Sequence, residues 1–229
     1  MSAVLVTGAA RGIGLAAARL FLQKGHSVLA LDKDFSGCDL PAQVRRVRFD
    51  LQALQDIPEL LKNETIDVLV NNAGTLYCEP HDAFPEAHAL EILTVNLRAP
   101  VALIEALSPG MRKRKSGRIV NVASVAAFTG HPDLWYGASK AALVNITKSY
   151  AGYLGADGIL VNAVAPGPTL TAMYEQLPQS RKDAVMRSVY SGRPCSAEEV
   201  AQTIVWLGTD SPAYLSGATL DVNNGSYPR

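Results

Sequence analysis

Cysteine is scarce in this chain: Cys38, Cys78 and Cys195 are three scattered residues in 229, an odd number. They fit neither a disulfide framework nor metal-ligand spacing, so a stapled secreted fold and a structural metal are both set aside, and a reducing, cytoplasmic setting is expected. Charge of one sign is also missing. Lys+Arg and Asp+Glu both count 21, and a formal net charge of zero supplies no global field toward nucleic acid or an anionic membrane. No apolar run approaches the roughly 20 residues of a membrane span. The opening "MSAVLVTGAA" enters a strand-like run without a basic segment or a cleavage site, so no signal peptide is read. Linker-like Pro/Gly/Ser stretches, internal repeats and low-complexity tracts are absent. With 48% hydrophobic residues the chain can build a real core, and one soluble domain over 1–229 is expected.

What is present is alternation. Short β-branched runs at 3–7, 27–31, 44–49, 67–70, 118–123, 159–165 and 218–222 read as strands. Longer periodic segments at about 12–24, 52–62, 86–114, 136–156, 171–189 and 196–209 read as helices. Several strands are almost continuously apolar, as strands covered on both faces are. The pattern is α/β: a doubly wound, mostly parallel sheet with helices on both faces. Two places break it. Only "KDFSGCDLPAQ" joins Asp32 to Val44, too little for a full crossover helix, so a loop or one turn is expected. Pro100 lies inside 86–114 and should kink or split that helix.

"VTGAARGIG" follows the first strand and opens a helix, placing Gly8, Gly12 and Gly14 where a backbone turn would admit a pyrophosphate to the helix N-terminus. Asp32 ends the second strand. A carboxylate there accepts from ribose hydroxyls and repels a 2′-phosphate, which favours NAD over NADP; Arg11 beside the turn pulls the other way. In "WYGASKAALV", Tyr136 and Lys140 sit one helical turn apart with Gly137, Ala138 and Ser139 between them. A free tyrosine has a pKa of about 10, too high for a base near neutrality, and an ammonium on the same face would lower it. The small residues between are expected to let a cofactor ribose approach Lys140.

With "TGAARGIG", "NNAG" (71–74), Ser124, "YGASK" (136–140) and "PGPTLT" (166–171) in this order, the chain resembles the short-chain dehydrogenase/reductase family over essentially its whole length. That resemblance implies a Rossmann-type domain with a seven-stranded parallel sheet, usually a homotetramer or dimer, moving hydride between a nicotinamide, NAD(H) by the Asp32 argument, and a secondary alcohol or ketone. It implies Tyr136 as general acid/base, Lys140 on the nicotinamide ribose, Ser124 on the substrate oxygen and Asn96 in a proton path. The glycine turn with Arg11 and Ile13, the stretch Asn72–Ala73–Gly74, Asp50 and Leu51 at the adenine, and Pro166, Gly167, Thr169 and Thr171 at the carboxamide would hold the cofactor. Asn71 would brace the sheet. Substrates in play are 3-hydroxyacyl or 3-oxoacyl compounds and a cyclic dihydrodiol, whose carboxylate would need His131, Arg181, Lys182 or Arg187. A sensor or scaffold that binds the dinucleotide without much chemistry is the alternative.

Other features are read plainly. "MRKRKSGR" (111–118) should close the C-terminal end of a helix away from the ligand edge, not bind nucleic acid. His81 and His88 read as surface residues, Glu198 and Glu199 as a helix start after Ser196, and Trp135 as pocket, core or subunit contact.

Overall fold

A computed structural model describes residues 1–228. Seven strands, β1 (Ala3–Thr7), β2 (Ser27–Asp32), β3 (Arg45–Arg48), β4 (Val68–Asn71), β5 (Gly117–Val122), β6 (Ile159–Pro166) and β7 (Thr219–Val222), form one sheet in the order β3-β2-β1-β4-β5-β6-β7. Every neighbouring pair is parallel. The helices are α1 (Gly12–Gln23), α2 (Ile57–Leu61), α3 (Glu86–Leu93), α4 (Ala99–Arg114), α5 (Leu134–Leu154), α6 (Ala172–Glu175), α7 (Gln179–Met186) and α8 (Ala197–Gly208).

Period-two alternation along the strands builds two cores. On β1, Val4 and Val6 face one side and join Phe21 of α1 and Ile204 of α8. Leu5 faces the other and joins Leu103 and Ile104 of α4 and Leu61 of α2. Both sheet faces are therefore covered at the centre, which is why β1 and β4 are almost continuously apolar, whereas the edge strand β3 carries three arginines. Chain order reverses between β1 and β4, so the carboxyl ends of these two strands open a crevice, the usual ligand position in such sheets.

The short link after β2 forms no helix. Its Leu40 and Val44 are buried against the α1 side, and Arg19 of α1 pairs with Asp39. The expected 86–114 helix is divided: α3 and α4 are separated by a π-helical turn, Thr94–Arg98, in which the Ala99 N–H reaches back to Thr94 O. Pro100 has no N–H to offer Asn96 O four residues earlier, so the α-helical ladder cannot run through unbroken. The expected 171–189 helix is likewise two, α6 and α7, with Pro178 at the start of the second. Of 52–62 only Ile57–Leu61 is α-helix, preceded by one tighter turn. The basic run closes α4: Lys115 takes φ 54° at its end, Arg112 and Lys115 both pair with Asp157, and Arg114 donates to Ile66 O. Ser196 and Glu199 form a reciprocal cap at the start of α8. No helix among the described residues is long and apolar enough to cross a membrane.

Candidate active site

The glycine turn leaves β1 and delivers the chain into α1. Gly8 has φ +64°, and a Cβ there would stand 2.8 Å from Ala73 Cα, so the turn must be bare to nest against the loop after β4. A Cβ on Gly14 would meet Gly8 O, which keeps α1 close to β1. Arg11 precedes α1 but offers no side-chain cap, so the first N–H groups of the helix face the crevice without a protein partner.

Two side chains hold this turn that sequence reading did not single out or placed elsewhere. Thr7 donates to Val70 O, and its oxygen accepts from the N–H groups of Asn72 and Ala73, each at 3.0 Å. Asn72 Nδ2 donates to Thr7 O and Gly8 O. Asp32 is buried at the end of β2; Oδ2 accepts from Ala10 N at 2.9 Å and Oδ1 from Asp34 N at 3.3 Å. Each carboxylate oxygen keeps a second lone pair for a ribose hydroxyl.

Asn71 acts as a brace. It donates to Asn121 Oδ1 on β5 at 2.8 Å, and Asn121 donates to Thr147 of α5 at 2.9 Å. Asn96 sits fully buried in the π turn. It accepts from Thr75 N, donates to Thr75 O and donates to Ser139 Oγ at 3.1 Å. Both of its amide hydrogens are thereby used, while Pro100 withholds the usual helical donor from its carbonyl.

Asp133 caps α5. Its Oδ1 accepts from Tyr136 N and its Oδ2 from Tyr77 N, both at 2.9 Å, so one buried carboxylate fixes the start of α5 and the loop after β4. An Asp three residues before Tyr136 is an N-cap signal that the sequence does carry. Tyr136 and Lys140 are both buried, with Lys140 Nζ 5.8 Å from the tyrosine ring centroid. Lys140 Nζ donates to Val122 O at 2.7 Å. The residues between the pair also have protein neighbours that call for small side chains. Gly137 gives room to His131 Cβ, 3.0 Å from where its own Cβ would be; Ser139 turns inward to Asn96; Ala138 is exposed. Space beside Lys140 comes from Gly74, whose Cβ would lie 3.5 Å from Nζ.

The electrostatics correct one expectation. Burial pushes the Tyr136 phenol above its ordinary range; hydrogen bonding from Ser124 opposes this, the Asp133 charge adds to it and Arg181 lowers it. Burial also lowers Lys140 to about 8. Desolvation penalises both charged forms, so the lysine does not by itself make Tyr136 a ready base. The Cys195 thiol is raised to about 11 by burial and by Glu199, which removes it as a nucleophile near neutrality.

Every expected catalytic or cofactor residue except Gly14 and Asn96 lines one cavity of about 750 Å³. Gly14 and Asn96 lie just behind its wall. Ser226 also lines it, from the C-terminal segment, where Asn223 packs on Gly167. From the loops expected near substrate, His131 and Arg181 reach the cavity; Lys182 and Arg187 do not. Trp135 is half-buried and not part of the wall, and His88 stacks on Tyr77 with ring centroids 3.8 Å apart instead of standing free at the surface. No cluster of metal-ligating residues occurs among the described residues.

Comparison with known proteins agrees with this geometry. The short chain dehydrogenase family model matches residues 2–182. The 3-oxoacyl-[acyl-carrier-protein] reductases of Thermotoga maritima and Haemophilus influenzae are 35% and 34% identical; the alignments cover 96% and 97% of this chain and the same shares of the relatives. A solved structure described as an NAD(P)-dependent gluconate 5-dehydrogenase from Beutenbergia cavernae, with bound NADP, superposes with a TM-score of 0.93 at 31% identity, covering 98% of this chain and 96% of that one. A glycine turn at the switch point, a Ser-Tyr-Lys set facing it across one cavity and these matches along the chain place it in the short-chain dehydrogenase family of oxidoreductases.

Proposed function

We propose that the chain, acting as one catalytic unit over 1–229 in a cytoplasmic setting, interconverts a secondary alcohol and a ketone with NAD(H). The observation that carries this is the convergence of Ser124, Tyr136 and Lys140 on the same cavity as the glycine turn and Asp32. The cavity fits a dinucleotide: bare glycines, uncapped N–H groups at α1, and a carboxylate at the far end of β2.

In this reading the N–H groups of Gly12, Ile13 and Gly14 take the pyrophosphate, Asp32 the adenosine ribose, and Asp50 and Leu51 flank the adenine. Asn72, Ala73 and Gly74 run along the cofactor, Lys140 takes the nicotinamide ribose, and Pro166, Gly167, Thr169 and Thr171 border the carboxamide. A bound nicotinamide supplies the hydride acceptor or donor and, when oxidised, a positive charge. Ser124 orients the substrate oxygen. Tyr136 moves the proton on that oxygen, taking it in alcohol oxidation and giving it in ketone reduction. Asn96, buried behind Gly74 on the Lys140 side of the cavity, takes part in the proton relay to solvent. Asp32 supports NAD, whereas the NADP seen in the Beutenbergia relative and Arg11 at the turn support the phosphorylated form; this reading gives the buried, turn-anchored carboxylate more weight and takes NAD. The relatives' names make 3-oxoacyl compounds one substrate class to try.

The test is a screen of secondary alcohols and ketones, followed by the absorbance of NADH and NADPH. Turnover of no ketone or alcohol, with dinucleotide binding retained, would move the sensor or scaffold reading ahead.

A further inference from the structure

The substrate end of the cavity holds one charge without a counter-charge. Arg181, on α7, lines it beside Leu177, Ala184 and Val185, which are apolar. Its Nη2 contacts His131 Nε2 at 2.7 Å, and the His131 ring lies 5.1 Å from the Tyr136 ring. The contact fixes the role of one ring nitrogen. A guanidinium only donates, so Nε2 accepts and carries no proton, while Nδ1 lies 3.0 Å from Asp133 O and 3.2 Å from Asp133 N. Burial lowers the His131 pKa, in keeping with a neutral ring. A neutral imidazole aims the guanidinium but cancels none of its charge.

The nearby carboxylates are occupied elsewhere. Asp133 holds the N–H groups of Tyr136 and Tyr77, and Glu91 accepts from the Tyr77 hydroxyl at 2.8 Å. Among the described residues Arg181 has no ion pair. Its neighbour Lys182 turns away to Glu175 O. Arg181 nonetheless lines the same cavity as Tyr136, joined to it through His131, whose ring lies 5.1 Å from the Tyr136 ring. A guanidinium keeps a fork of free N–H groups when one is used, and that fork matches a carboxylate in two parallel hydrogen bonds.

We infer that Arg181, aimed by His131, anchors a free carboxylate on the substrate, so that the chain acts on short oxo acids and hydroxy acids and not on neutral acyl esters or thioesters. This rests on the oxidoreductase reading above. His131 is a positioning residue: it touches Arg181, not the reacting carbon. The reaction itself is unchanged: ketone, NADH and one proton give alcohol and NAD+, with Tyr136 passing the proton. Arg181 decides which ketone is held there.

The experiment compares 3-oxobutanoate and 4-oxopentanoate with their methyl esters, in the wild type, Arg181→Gln and Arg181→Lys. The expected wild-type kcat/KM favours the acid over its ester by about 10- to 100-fold for at least one chain length, the size of one charged hydrogen-bonded contact. Arg181→Gln abolishes that ratio, chiefly through KM, and Arg181→Lys keeps part of it. An acid-to-ester ratio near one in the wild type, or a ratio unchanged in Arg181→Gln, overturns the inference. So does an equal fall for acid and ester, which would make Arg181 a loop latch. Titrating the fluorescence of the NADH complex with each acid and ester reads the anchor without turnover. Acid-selective binding lost in Arg181→Gln upholds it even where no ketone is reduced, a result that would sink only the oxidoreductase reading. Equal binding of acid and ester overturns it.

Discussion

At the scale of single residues, the two groups most needed for chemistry are those the fold makes hardest to charge. Tyr136 is pushed up and Lys140 down, both first by desolvation. Tyr136→Phe removes the ionisable oxygen and keeps the ring, so turnover should fall by at least about 100-fold while NADH binding persists; near-wild-type rates would contradict the proton-transfer role. Alcohol oxidation needs the phenolate, so its rate should rise with pH, and an oxidised nicotinamide beside Tyr136 should bring that rise to lower pH than the free protein's phenol shows. Lys140 leaves a mark on stability as well. Its folded pKa is about 8 against an ordinary lysine's 10.5, so between these values the unfolded chain holds more protons. The penalty, on the order of 3 kcal/mol, is full below pH 8 and relieved as pH climbs toward 10.5. Stability should therefore increase over that window, before the raised Tyr136 reverses the trend above pH 10. In Lys140→Met the increase should vanish, which urea melts across that pH range would reveal. At the far end of the cavity, Asp32→Ala should narrow the preference for NADH over NADPH, measured by binding of the two; tighter NADPH binding in the unchanged protein would mean that Arg11 outweighs Asp32.

At the scale of elements, α5 begins where Asp133 says it does. Asp133→Ala would orphan the N–H groups of Tyr136 and Tyr77 together, so a loss of about 1–3 kcal/mol is expected, read as a lowered urea midpoint, with turnover falling because the start of α5 frays. A stability change within error would show that the cap is replaceable. The same element shows what the sequence made legible. The Tyr136/Lys140 spacing, the glycine turn and the strand runs follow from local periodicity, and each was recoverable because one segment contains the whole signal. The protein neighbours of the small residues between Tyr136 and Lys140 were not, since Gly137 answers to His131 and Ser139 to Asn96, forty-three positions away. The π turn was half legible: Pro100 announces a break, but only tertiary packing decides whether a kink, two helices or a π turn results. Thr7 went unnoticed for the same reason, because its partners come from β4 and the loop that follows.

At the scale of the whole molecule, the isolated chain leaves apolar surface on two separate sides. On α5 the outward positions Leu134, Ala138, Ala141, Asn145 and Gly152 are mostly small, with Lys148 the one charge among them, and Tyr153 stands 70% exposed at the end. A second helix could lie close along such a face. On the other side Trp206 of α8 is 40% exposed, and Tyr214, before β7, is fully so. A chain with zero net charge has little self-repulsion to prevent association. Two distinct self-complementary faces on one protomer generate a closed tetramer with paired two-fold axes, and one face alone stops at a dimer. The expected result of sedimentation equilibrium is thus four chains of 24.4 kDa per particle. Trp206→Glu with Tyr214→Glu should reduce this to a dimer through the remaining α5 face, and Ala141→Glu should do the same through the other. A monomer at micromolar concentration in the unaltered protein would refute the tetramer. A tetramer that survived both sets of charges would locate its contacts on other surfaces.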